Sequence, residues 1–126
     1  ILQDAVESGL NVKEIVNSCF GSNQSSPLQI ACTEGHFDLV CLLLQNGAAI
    51  NHTDVKYNWT ALHCAAQKYI EICDILLKYG ADIHIKSDRG TSAFHYVSKT
   101  ITDEKQQPLQ AKVLDEMLRQ GQDVNL

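Results

Sequence analysis

Long apolar stretches are missing from this sequence. The longest uninterrupted run, Leu39 to Leu44, has six residues, against the roughly 20 that a membrane-spanning helix requires. A soluble segment without membrane insertion is expected. The opening residues ILQDAVES carry neither an initiator methionine nor a basic-then-apolar leader, so no secretory signal is read and an excised piece of a longer protein is expected. Positive charge is also scarce. Ten Lys and Arg stand against 15 Asp and Glu, a formal net charge of −5, and affinity for nucleic acid comes chiefly from neutralising phosphates. Nucleic acid is therefore not expected as a partner, and a neutral or basic one fits better.

Catalytic signatures are lacking as well. There is no Gly-x-Gly-x-x-Gly, no Gly-x-x-x-x-Gly-Lys-Ser/Thr and no Gly-x-Ser-x-Gly, which removes the usual signals for nucleotide binding and hydrolysis. No Cys-x-x-Cys pair occurs either. The cysteines Cys19, Cys32, Cys41, Cys64 and Cys73 are odd in number, and most sit in apolar helical patterns. That usage suits reduced thiols in an intracellular, cytoplasmic protein, where a small apolar side chain packs a core. Neither a zinc site nor a cofactor is expected, since a structural zinc usually shows closely spaced ligand pairs.

What the chain does contain is repetition. Ser26-Pro27-Leu28-Gln29, Thr60-Ala61-Leu62-His63 and Ser92-Ala93-Phe94-His95 follow one another at offsets of 34 and 32 residues. The units also end alike, in Gly47-Ala48-Ala49-Ile50-Asn51, Gly80-Ala81-Asp82-Ile83-His84 and Gly121-Gln122-Asp123-Val124-Asn125. Between these landmarks lie two apolar-patterned stretches per unit, clearest at Leu39, Val40, Leu42, Leu43, Leu44 and at Ile72, Cys73, Ile75, Leu76, Leu77, with helical spacing. A glycine follows the second helix, where positive φ is easiest for that residue. Each unit reads as helix, turn, helix, loop, and a period of this length marks an array.

On these residues the sequence resembles the ankyrin repeats, with their Thr-Pro-Leu-His start, inner helix, Gly-His turn, Leu-rich outer helix and Gly-Ala-Asp-Val-Asn exit. The resemblance covers nearly the whole chain and implies an all-α solenoid of about four helix-turn-helix repeats with short hairpin-like loops. The repeats fall at approximately 1–22, 23–55, 56–87 and 88–126, one domain in all. The first is read from Leu2, Ala5, Gly9 and Gly21, which stand 26 residues before Leu28, Ala31, Gly35 and Gly47, with an outer-helix stripe of Val12, Ile15, Val16, Cys19 and Phe20. Departures from the pattern exist. The third repeat has Lys68-Tyr69-Ile70 in place of Gly-His, and the last carries about eight extra residues, Thr100 to Gln107, before Pro108 opens the final helix.

The resemblance makes Thr60 and His63 a helix-start device, repeated by Ser92 and His95 and varied by Ser26 and Gln29; a catalytic device has no reason to recur in successive units. It also implies that partners contact the hairpin tips and the concave face of the inner helices. Mapped residue by residue, the tips are Thr53 to Trp59 and Ser87 to Thr91, and the exposed inner-helix positions include Thr33, Glu34, Gln67, Lys68 and Lys99. The partner-binding set is Val55, Lys56, Tyr57, Trp59, Gln67, Lys68, Arg89 and Lys99. Trp59 reads either as a binding anchor that is dispensable for stability, since aromatic anchors dominate interface energetics, or as a ring that folds over the adjacent hairpin or stacks against Tyr57 and buries itself within the domain. The lysines fit either carboxylates on a partner or ordinary surface. Glu71 and Asp74 read as solvated surface. Asn51 and Asn125 hold the exit position at which repeats of this family can be hydroxylated by an iron-dependent oxygenase, with His84 there in the third repeat. The expected function is a non-catalytic, monomeric module that binds a protein or peptide. Alternatives are a regulatory or substrate-targeting module of a larger enzyme, such as a ubiquitin ligase, kinase, phosphatase or bacterial effector, and a structural spacer.

Overall fold

The computed structural model describes residues 12–100 and 104–122. Leu2, Ala5, Gly9, Asn125 and residues 101–103 of the insertion lie outside them. The described residues form helices α1 (Val12–Val16), α2 (Pro27–Glu34), α3 (Phe37–Gln45), α4 (Ala61–Ala66), α5 (Ile70–Lys78), α6 (Ala93–Lys99) and α7 (Gln107–Gln122). Inner helices α2, α4 and α6 pack in sequence, and outer helices α3, α5 and α7 form the second layer behind them.

Local chemistry sets the helix starts. Ser26 Oγ accepts from the Gln29 backbone N–H at 3.2 Å, while Gln29 Oε1 accepts from the Ser26 N–H at 2.9 Å. This reciprocal box satisfies two donors that the first turn leaves unpaired. Thr60 and His63 build the same box, with His63 N–H on Thr60 Oγ1 at 3.4 Å and Thr60 N–H on His63 Nδ1 at 3.1 Å. Ser92 makes no such side-chain bond, and His95 is exposed. The expected third copy is therefore absent, for a reason that the joints between repeats supply below.

Helix ends are equally local. After α3, the Ala48 N–H reaches Leu43 O at 3.0 Å with Gly47 at φ 87°; after α5, the Ala81 N–H reaches Leu76 O at 3.1 Å with Gly80 at φ 88°. Both are left-handed stops in which glycine avoids a Cβ penalty. Gly35 closes α2 at φ 79°, and a Cβ there would also run into the Tyr69 ring from the next repeat. Tyr69, where the third repeat lacks the Gly-His turn, thus depends on a glycine one repeat away.

Two landmarks sit elsewhere than the sequence pattern places them. Helix α1 stops at Val16, so Cys19 and Phe20 do not continue its stripe; Phe20 instead exchanges backbone bonds with Ser25, at 2.9 and 3.1 Å, around a tip that contains Gly21. Asn17, rather than a residue after Gly21, takes Asn51's place in the first repeat. Asn17 Oδ1 accepts from Ala49 N–H at 2.7 Å as Asn51 Oδ1 accepts from Asp82 N–H at 2.9 Å. At the other end α7 continues through Gly121 to Gln122, since one glycine costs a helix only about 1 kcal/mol.

The core runs between the layers. Leu28, Leu62, Ile70, Ile72, Leu76, Val97, Val113 and Met117 are all at most 1% exposed. Asp74, expected as plain surface, links the outer helices by pairing with Lys78 at 3.2 Å and Lys112 of α7 at 3.8 Å. Glu71 is exposed and accepts from Gln106 of the insertion. Gln110 then donates to Val97 O at 2.8 Å and Thr100 O at 2.9 Å, covering carbonyls at the end of α6. The polar residues around the insertion are used as fasteners.

Candidate functional site

Among the described residues, three hairpin-like tips stand in a row on the inner-helix side: Phe20 to Ser25, Asp54 to Trp59 and Ser87 to Thr91, each closed by a backbone bond across its base. Neighbouring tips are hooked together. Val55 N–H donates to Asn23 O and Asp88 N–H to Tyr57 O, both at 2.8 Å, and Asn58 Nδ2 donates to Lys86 O at 2.9 Å. The helix-start residues add a second tie. Gln29 Nε2 donates to Trp59 O at 2.6 Å, and His63 Nε2 meets Thr91 O at 3.2 Å. Since His63 Nδ1 accepts from Thr60, Nε2 carries the proton in that bond. Among the described residues, no backbone carbonyl meets the His95 ring as Thr91 O meets that of His63.

Within the third-repeat tip, Asp54 Oδ1 accepts from Tyr57 N–H at 2.8 Å, a side-chain turn that substitutes for a backbone one. Asn58 takes φ 57°, a conformation in which asparagine is enriched. Trp59 is half-buried. Its ring lies 5.2 Å from Tyr57 in a tilted contact, 6.5 Å from His63 stacked, and 5.7 Å from Tyr96 edge-on. The reading of Trp59 as dispensable for stability is thereby revised, because three ring contacts on both sides of the repeat joint hold it. Val55 at 69% exposure and Tyr57 at 39% remain open to solvent.

Between this tip and α2 lies a cleft of about 290 Å³. Gln29, Asp54 and Cys64, all buried, form its floor, and Ile30, Glu34, Tyr57 and Trp59 stand around it. Ile30 and the buried Asp54 were not singled out in the sequence reading. The available signal for Ile30 was a large apolar residue between the polar inner-helix positions Gln29 and Thr33, where a solvent-facing helix surface has no need of one.

Comparison with known proteins places this architecture. The profile for ankyrin repeats, three copies, matches residues 2–87. The chain belongs to the ankyrin-repeat family. An ankyrin repeat and KH domain-containing protein, mask-1 of Caenorhabditis elegans, is 34% identical over 100 residues, covering 79% of this chain and 4% of that protein. The mouse ankyrin repeat and SOCS box protein 11 is 37% identical over 69 residues, 54% of this chain and 21% of that one. A rice protein named "Probable E3 ubiquitin-protein ligase XBOS32" is 30% identical over 83 residues, 64% of this chain and 16% of its own. The chain spans between 1% and 21% of the length of the curated relatives it matches. The all-α solenoid is thus the ankyrin fold.

In this ankyrin domain the sequence-selected residues fall into two groups. Val55, Lys56, Tyr57 and Trp59 share one tip, and Arg89 sits in the neighbouring tip hooked to it. Gln67 caps the far end of α4, Lys68 follows it, and Lys99 ends α6. Trp59 lies just before the start of α4, so the six-residue helix separates Trp59 from Gln67 by about 9 Å of axis. The inner-helix side carries charge at both ends rather than one patch. Lys56 Nζ lies 5.0 Å from the Tyr57 ring centre and Lys68 Nζ 5.7 Å from that of Tyr69. Asn51 is exposed while its Oδ1 is engaged with Asp82.

Burial dictates the acid–base state of the interior. It pushes the Cys64 thiol up to about 11 and the Cys73 thiol to about 12, and raises Cys32 further, because a thiolate loses its hydration there. Protonated thiols are poor nucleophiles and poor metal ligands. Among the described residues, no three metal-ligating side chains converge, and no helix is long and apolar enough to cross a membrane. Burial likewise holds the His63 imidazole below its ordinary value, which suits its neutral role as acceptor and donor.

Proposed function

We propose that this ankyrin domain is a non-catalytic, monomeric protein-binding module whose recognition surface centres on the third-repeat tip and the adjoining cleft. Ankyrin repeats are generally protein-interaction modules, and the observation that carries the reading here is the tip itself. Val55 and Tyr57 are exposed apolar side chains on a segment whose backbone is bonded to both neighbouring tips. A surface held in place before binding loses less ordering entropy when a partner docks. Arg89 extends the surface along the row of tips, and Gln67, Lys68 and Lys99 form a separate flank at the helix ends. Free thiols throughout the described core suit a reducing, intracellular setting. Asn51, exposed at the repeat exit, is the position for hydroxylation.

The test is affinity capture from cell lysate with the wild-type domain beside a Val55→Ser/Tyr57→Ser variant of equal thermal stability, with retained proteins identified by mass spectrometry. Partners retained by the wild type and lost from the variant are expected. Identical retention would move recognition away from the tip.

A second reading is supported by the relatives. One is named for a SOCS box and another as an E3 ubiquitin-protein ligase, and in each this chain matches a minor part. The same surface would then select substrates for an enzyme carried elsewhere in the parent chain. The parent sequence, with or without such a domain, decides between the two.

A further inference from the structure

We infer that the cleft between α2 and the third-repeat tip receives a basic side chain of the partner, arginine in preference to lysine; this rests on the tip being the recognition surface. The cleft combines two features that a guanidinium recognises. The first is apolar and aromatic area, from Ile30 at 41% exposure, Tyr57 at 39% and the half-buried Trp59. A long basic side chain lays its methylenes on such area and keeps its head in a polar environment. The second is uncompensated negative charge. Glu34 and Asp54 both line the cleft, and among the described residues no lysine or arginine forms an ion pair with either carboxylate.

Lys56 Nζ lies 5.0 Å from the Tyr57 ring centre, so that ring accepts a cation, and an incoming guanidinium stacks on it by displacing the flexible lysine. Guanidinium surpasses ammonium here because its plane stacks on aromatic faces and its fork reaches carboxylates in fixed directions. The overall charge of −5 attracts a basic partner towards the domain. A glutamate or aspartate in the same place would meet two like charges.

The experiment is a two-dimensional amide NMR titration of the whole domain with blocked Gly-Arg-Gly, and with the matched peptides carrying lysine, citrulline or glutamate. The arginine peptide should shift amides of residues 29–34 and 54–59 and the Trp59 indole N–H. Lysine should bind more weakly, and citrulline, of the same shape without charge, should shift them little. Glu34→Gln, at an exposed helix end away from the core, should weaken the arginine peptide by about threefold without lowering the melting temperature. Equal shifts from citrulline, arginine shifts mapping to other residues, or affinity unchanged in Glu34→Gln would each overturn the assignment. If tip-dependent capture persists while the titration fails, the basic side chain is wrong and the tip surface stands. If capture is independent of the tip, the underlying reading falls instead.

Discussion

His63 and His95 occupy the same place in consecutive repeats, four residues into the same landmark, and the molecule treats them in opposite ways. His63 is 1% exposed, bonded through one ring nitrogen to its own helix start and through the other to Thr91 O in the next tip. His95 is exposed, its imidazole unconnected to Ser92, and makes an edge contact with Tyr96 at 6.0 Å. The letters are shared, and among the described residues the difference lies in what each ring meets. A helix-start residue of this kind becomes structural when a following tip presents a carbonyl to it. The tips at Asp54–Trp59 and Ser87–Thr91 are consequently each held by the repeat before them, and the recognition surface inherits its rigidity from joints between repeats.

The comparison can be sharpened by substitution. Leu76, fully buried, should lose about 2–5 kcal/mol on change to Ala through the cavity left behind, whereas Leu118 on the last described helix, 52% exposed, should lose under about 0.5 kcal/mol. Chemical denaturation reads both; similar losses would reject the assigned layers. Next in size is His63→Ala. It strands Thr91 O and Thr60 N–H and should cost about 1–3 kcal/mol, while His95→Ala should stay within about 0.5 kcal/mol. His63→Gln should retain most of the stability, because Gln29 performs the same two tasks one repeat earlier. Trp59→Ala, through its lost ring contacts, should cost about 1–2 kcal/mol, and unchanged melting would show that those contacts contribute nothing.

The smallest effect is a pH dependence. Burial lowers the His63 pKa from its ordinary 6.5, so below about pH 6.5 the unfolded chain takes up a proton that the native domain refuses. Bound protons are then more numerous in the unfolded state, and stability falls with pH until the depressed native value is reached. Melting temperatures of wild type should therefore drop more between pH 7.5 and 5.5 than those of His63→Gln. Parallel curves would contradict the assignment of a neutral, buried imidazole.

Sequence made the array legible because its landmarks have local causes. Thr60, Ser26, Gly47 and Gly80 act through bonds within a few residues of themselves, and such signals survive in a linear reading. What it obscured depended on contacts between repeats. The Ser92 and His95 pair looks like its predecessors yet, among the described residues, makes neither the box nor the tie to a following tip. Gly21 resembles an exit glycine and stands in a tip, since the exit role in the first repeat falls to Asn17. Trp59 could not be divided between packing and binding until Tyr96, 37 positions later, was found beside it. The cleft was hidden for the same reason: Glu34 and Tyr57 belong to different repeats, and only stacking puts both on its wall.

The most direct test of the central claim is amide hydrogen exchange of the domain with and without a captured partner. Binding should slow exchange in residues 53–59 and 29–34 while the outer helices α3 and α5 remain unchanged. Protection confined to α3 and α5, with the third-repeat tip exchanging as in the free domain, would contradict the account.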